Sequence, residues 1–386
     1  MYYAKGIYDV KIKWIALILA LVCLLIPCGG CAADTVEVMR YGESSISANM
    51  YSYWLASYKG SFMYTFSDAT DTDAFWSTVL YDDVTLEEYL DGVVLNNVKR
   101  TLICMELFRQ KGMKLSPSLE EEIDSYIDEL IDERAGGSKN VFNEELAKFG
   151  INVRMLRDIY RCEEQTSQLV EALYAPGGER ELTAADIDAY CRENYVRVYH
   201  LYVNDAHVYE TDDQGHYTYN QDGTIKLRPL NEEEAAAKAA VIAQVEAELA
   251  EGKDFLEVYE SYSEDTYYKN GYYLTRQIDF IPEVVDAAFE LQVGESVKVS
   301  SDYGTHWIFR MEMDERPYAN EENIDFFTTI ESDAEDADLR AFLDFLIPQV
   351  EVNEEEIEKF SIRDAAINYS IRITRQSVDG SAADSF

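Results

Sequence analysis

The spacing of apolar residues changes at Tyr195, and that change constrains the fold more than any other feature of the chain. After it, Val196, Val198, His200 and Tyr202 alternate with Arg197, Tyr199 and Leu201, the two-residue repeat of a strand. Before it, the repeat is three to four residues. Ile46, Met50, Tyr53, Trp54 and Tyr58 mark one face of a helix running from Ser45. Thr85 with Glu88 is a capping-box start for a second, which carries Leu86, Leu90, Val94, Val98 and Leu102 and stops near Gly112. A third runs from about Ser118 through Ile123, Ile127 and Ile131 to Gly136. Helical patterning from Asn143 to Ala175 breaks at Pro176-Gly177-Gly178 and resumes at Thr183. A helical arm thus precedes a new domain that opens on a strand.

Downstream of that strand, the polar stretch 204–229 contains Asp222-Gly223, a hairpin turn signal, and reads as a β-hairpin insertion. An Ala/Glu helix follows from Asn231 to Gly252, and Ser296–Ser300 and Trp307–Met311 read as strands. Strand, helix and strands together predict a compact α+β unit of roughly one hundred residues. From Tyr318 the pattern is helical again, through Phe326, Phe327, Ile330, Leu339, Phe342 and Leu343, with a break at Pro348 and a frayed end. The expected organisation is a signal segment at 1–30, a helical region at 31–190, the α+β domain at 191–316 and a helical region at 317–386.

Charge narrows the partners. Lys and Arg number 33 against 74 Asp and Glu, a net charge of −41, which repels phosphate backbones and anionic headgroups. Nucleic acid is not an expected partner.

At the N-terminus Lys5, Lys11 and Lys13 precede the apolar run Trp14 to Ile26, which is shorter than the roughly 20 residues a membrane-spanning helix needs. Basic, apolar and small residues in that order are the layout of an export signal. Its end, Pro27-Cys28-Gly29-Gly30-Cys31, resembles the lipobox of bacterial lipoproteins, with Gly30 before a cysteine that becomes lipid-modified. Cys31 is the expected anchor, and Cys28 is the competing cysteine. Two acyl chains on one cysteine suffice for stable anchoring without a span. Cys104, Cys162 and Cys191 have no paired spacing and imply neither a disulfide nor a metal site.

The central segment from Arg197 to Met313 resembles the parvulin family of prolyl isomerases in a series of fragments in the family's order. Val198-Tyr-His200-Leu-Tyr-Val203 is similar to its first strand, and Glu251-Gly-Lys-Asp-Phe255 to its G-x-D-F turn. Tyr262-Ser-Glu-Asp265-Thr266 is similar to the segment that follows. Asp286-Ala-Ala-Phe289-Glu-Leu-Gln-Val-Gly294-Glu295 resembles its F-x-L-x-x-G-E stretch, and Ser301-Asp-Tyr-Gly304-Thr-His306-Trp-Ile-Phe its second histidine strand. The layout of signal, helical arm, parvulin unit and helical tail resembles the PrsA foldases and, more distantly, the SurA chaperones, whose arm and tail pack into one chaperone module.

No metal, nucleotide or flavin motif appears, so no cofactor is expected, and the site follows from the resemblance. It pairs His200 with His306, each also readable as a core polar group joining two strands, and sets Asp265 beside the substrate carbonyl. Phe280, Val284, Phe289 and Tyr303 are the implied substrate-contacting residues. Val284 stands where the family usually has a proline-contacting Phe, and Phe280 where it usually has Met. No Lys/Arg cluster accompanies the site, so phosphorylated residues before proline are not an expected substrate. The implied function is isomerisation of Xaa-Pro bonds in newly exported proteins at the outer face of the cell membrane. The alternative is a catalytically silent holdase. The oligomeric state stays open.

Overall fold

A computed structural model describes residues 36–66 and 68–369. The expected signal segment, Cys28, Cys31 and the end of the tail lie outside the described residues. The described chain divides into two compact units: Leu182–Glu335, and the arm (to Glu181) together with the tail from Asp336.

The arm begins with a strand pair, β1 (Glu37–Tyr41) and β2 (Ser44–Ser47), before helix α1 (Ala48–Thr65). The helix expected from Ser45 therefore starts later, and Ile46 is a strand residue. Ser47 ends the strand because its hydroxyl accepts from the Met50 amide and caps the helix. Ile46 lies four residues before Met50, so a strand feeding a helix mimics the helical repeat. A short helix α2 (Asp73–Trp76) and the hairpin β3 (Val79–Tyr81) and β4 (Val84–Thr85) follow. Helix α3 (Leu86–Gln110) starts at the expected capping box, with the Thr85 hydroxyl accepting from Glu88 N (3.2 Å) and the Glu88 carboxylate from Thr85 N (2.8 Å). Helix α4 (Pro117–Ala135) buries Ile123, Ile127 and Ile131. The pattern read from Asn143 to Ala175 is two helices, α5 (Lys139–Leu146) and α6 (Val153–Tyr174). Gly150 adopts φ +80° between them, and Asn152 caps the second.

The Leu182–Glu335 unit opens with α7 (Ala184–Asn194), which runs directly into β5 (Tyr195–Val203). The insertion pairs β6 (His207–Tyr209) with β7 (Leu227–Pro229). Further bridges, Thr211 with Tyr217 and Tyr219 with Ile225, make two turns where one hairpin was expected. Then come α8 (Glu232–Ala250), α9 (Phe255–Tyr262), β8 (Tyr272–Thr275), α10 (Pro282–Glu290), β9 (Ser296–Ser301) and β10 (Gly304–Met311). The sheet order is β8-β5-β10-β9, antiparallel throughout. One face packs Val196, Val198, Leu274 and Ile308 against Val284 and Ala288 of α10. The other packs Leu201, Val203 and Trp307 against Val245 of α8 and Val258 of α9. The sheet is covered on both sides, and the site sits at one end of the α10 face.

Helix α11 (Ile330–Leu346) leads the chain back into the arm-and-tail unit. There Asp338 accepts two bonds from the Arg180 guanidinium (2.7 Å each) and one from the Tyr174 hydroxyl (2.6 Å). The tail, expected to be helical, includes a strand β11 (Glu351–Val352) that pairs with β1, followed by α12 (Glu354–Ile357). Two residues are too few to show a period. The ammonium of Lys59 on α1 is buried against Asp71 (2.8 Å) and donates to the carbonyls of Arg363 (2.6 Å) and Ala365 (2.9 Å). Such saturation offsets the desolvation of a buried charge. Among the described residues no helix is long and apolar enough to cross a membrane.

Candidate active site

The two strand histidines meet because of register. His306 on β10 lies opposite Tyr202 on β5, so His200, two residues along, is its diagonal neighbour on the same sheet face. Ser301 on β9 stands in the same diagonal relation to His306, since Val299 is the direct partner. Tyr272 opens β8 opposite Val198. The tight β9–β10 turn depends on Gly304, whose φ is +145° and where a Cβ would come within 2.5 Å of the Val203 carbonyl oxygen.

These residues form one continuous hydrogen-bonded chain. Asp265 Oδ2 lies 2.8 Å from His200 Nδ1, His200 Nε2 lies 2.9 Å from His306 Nδ1, and His306 Nε2 lies 2.8 Å from Ser301 Oγ. The Tyr272 hydroxyl donates to the same carboxylate, at 2.7 Å from Oδ2 and 2.9 Å from Oδ1. Burial pushes the Asp265 pKa up, but the His200 and Tyr272 bonds outweigh it and hold the carboxyl below its ordinary range. With Asp265 ionised, a neutral His200 carries its proton on Nδ1, and each later link has one consistent direction. His306 Nδ1–H donates to His200 Nε2, the Ser301 hydroxyl donates to His306 Nε2, and the Tyr303 amide donates to Ser301 Oγ (3.0 Å). A protonated His306 would break this order, and burial holds its pKa down at about 4 against the pull of Asp265.

An aromatic frame surrounds the chain. The Tyr202 ring stacks on His306 at 5.0 Å, and Phe280 meets His200 edge-on at 5.4 Å and Tyr272 at 5.4 Å. The result is a fixed carboxylate beside an apolar wall. Among the described residues no group of three or more His, Cys, Asp or Glu is placed to hold a metal ion. Cys104 and Cys191 are buried thiols pushed up to about 12 by that burial.

No family model matches the chain, and no curated protein matches it. Solved structures that resemble it include PrsA proteins. That of Bacillus subtilis is 18% identical, with 75% of this chain and 90% of that one covered and a TM-score of 0.22. A foldase protein PrsA of Streptococcus pneumoniae is 18% identical over 70% and 89%, with a TM-score of 0.21. A peptidylprolyl isomerase (PrsA) of Bacillus cereus is 17% identical over 73% and 95%, with a TM-score of 0.26.

Of the residues singled out in the sequence, His200, Asp265, His306 and Phe280 come together. Val284 lies in the core behind them, in the cluster that includes Tyr272 and against which Phe280 packs. It has 0% exposure and lies in the core with Val196, Val198 and Ile308, because α10 turns Val284, Val285 and Ala288 inward as its apolar stripe. Phe289 flanks the same core, its ring 4.4 Å from the Arg276 guanidinium. Tyr303 is exposed, and its main chain is what the site uses: its amide bonds Ser301, and its carbonyl accepts from the Tyr202 hydroxyl (2.7 Å). Tyr202, Ser301 and Tyr272 were not among the candidates. The alternation of β5 puts Tyr202 on the His200 face, and Ser301 lies one hairpin from His306. Tyr272 left no signal of its own, since the face it takes is set by its place opposite Val198 on β5.

Proposed function

We propose that this chain is a lipid-anchored, extracytoplasmic foldase that isomerises Xaa-Pro bonds in exported proteins. The observation that carries the reading is the oriented chain from Ser301 through His306 and His200 to Asp265, with Phe280 beside it. Rotation about a prolyl bond makes and breaks no covalent bond. It must cross a barrier of about 18–20 kcal/mol, from which a thousandfold acceleration removes only about 4 kcal/mol. The planar amide holds excess charge on its carbonyl oxygen, and twisting withdraws it. A fixed carboxylate beside that oxygen therefore repels the planar form more than the twisted one. Asp265 is the group that would do this, the two histidines keep it oriented, and Phe280 offers a surface to the proline ring.

A silent holdase is the second reading, favoured by the identity of Val284, which leaves no phenyl ring where the resembled family has a proline-contacting Phe. The separating experiment measures isomerisation of a short Xaa-Pro peptide beside suppression of client aggregation, for the wild type and Asp265→Asn. Asn keeps the shape and one acceptor oxygen while removing the charge. The expected outcome is measurable catalysis, lowered about tenfold or more by Asp265→Asn, which is about 1.4 kcal/mol of transition-state stabilisation. No catalysis with intact aggregation suppression would leave the holdase standing.

A further inference from the structure

The β-ribbon inserted after β5 has a face that its own unit does not cover. Directly paired residues share a side of a ribbon. The pairings Tyr209 with Leu227, Thr211 with Tyr217 and Tyr219 with Ile225 thus gather these side chains on one face. It is open to solvent: Tyr209 is 42% exposed, Tyr217 52%, Tyr219 57% and Leu227 51%. Tyr209 and Tyr217 touch edge to face at 5.7 Å. Rings concentrated on one exposed face are uncommon unless something binds there.

The base of the ribbon is tied to the site. Asn204 Oδ1 accepts from the amides of Ala206 (3.3 Å) and His207 (3.2 Å), and the Thr305 hydroxyl on β10 donates to Asp205 (3.1 Å). The ribbon leaves β5 just after Tyr202, whose ring stacks on His306 at 5.0 Å.

Charge selects the occupant. The ribbon carries Asp205, Glu210, Asp212, Asp213 and Asp222 against Lys226 and Arg228, and Arg228 is held by Glu234 at 2.7 and 2.8 Å. With a net charge of −41 on the chain, a second copy and an anionic lipid surface are both repelled. An extended segment that alternates apolar and cationic side chains meets rings on the face and carboxylates around it, with cation–π contacts available to its lysines and arginines.

We propose that this ribbon face is a docking track for extended, cationic, apolar-rich polypeptide, leading outward from the Tyr202–His306 stack. Its place beside the site rests on the foldase reading, and its chemistry does not.

The test uses a probe without proline. Fluorescence anisotropy would follow a labelled, proline-free peptide of alternating Lys and Leu, and its Glu-for-Lys analogue, on the full chain and on Tyr217→Ser/Tyr219→Ser. The Lys peptide should bind at least about tenfold tighter than the Glu peptide, and the double substitution should weaken it about tenfold. Should that variant melt early, Leu227→Ser takes its place. A change under about twofold in a normally folded variant, or equal binding of the Glu peptide, overturns the proposal. So does a dimer in sedimentation that the substitutions abolish, or binding to anionic vesicles through the same residues. Because the probe holds no proline, its failure leaves the isomerase reading intact, and loss of isomerase activity leaves the docking result intact.

Discussion

His306 has 0% exposure and carries the site's sharpest pH dependence. In the folded chain its pKa is held down at about 4, while in the unfolded chain it lies at about 6.5. Between those values the unfolded state binds the extra proton, so this residue's contribution is complete above about pH 7 and is lost as the pH falls through that window. The size is on the order of 3 kcal/mol. Asp265, whose folded carboxyl lies below its ordinary range, adds a loss in the same direction at lower pH. The net charge of −41 acts oppositely, since protonating surface carboxylates relieves repulsion. The readout is therefore a difference: urea midpoints of the wild type and His306→Asn compared at pH 7.5 and 5. The wild type should lose stability relative to the variant on acidification, and parallel pH profiles would refute the assignment. Residue identity made the histidine pair legible. The connection of Asp265 to Tyr272 was not, and it makes the carboxylate a hub between β5 and β8.

At the scale of elements, the caps were written locally. The boxes at Thr85 and Thr183 and the left-handed Gly136 end or start helices where the sequence placed them. Short strands formed by distant pairing were not: β8, which pairs with β5, and β11, which pairs with β1, have four and two residues, too few to show a period. Helix α1 shows how tertiary context reverses a local rule. Replacing an exposed mid-helix Gly by Ala normally stabilises by about 1 kcal/mol. At Gly60 a Cβ would come within 2.0 Å of the Asn368 carbonyl oxygen, where the tail crosses and the Asn368 amide donates to Ala56 O (3.1 Å). Gly60→Ala should therefore destabilise the arm-and-tail unit by about 1–3 kcal/mol. Thermal unfolding decides it, and a raised midpoint would mean the tail does not hold this position.

For the whole molecule, the proposed anchor sets where any activity acts. If Cys31 is processed, the N-terminal peptide of protein from its native envelope should begin there and carry two or more acyl chains. A peptide that retains Trp14 to Ile26, or an unmodified Cys31, would remove the anchor from the proposal. The acidity of the chain, its helical arm, the period change at Tyr195 and the two histidine strands were all set by residues near one another in sequence, which is why they can be read without coordinates. Which face Val284 turns inward, how β11 closes on β1, how Lys59 saturates itself on the tail and how Tyr272 comes to lie opposite Val198 were decided only by the tertiary structure. Each depends on the pairing of segments far apart in the chain, and no window of local sequence contains both partners.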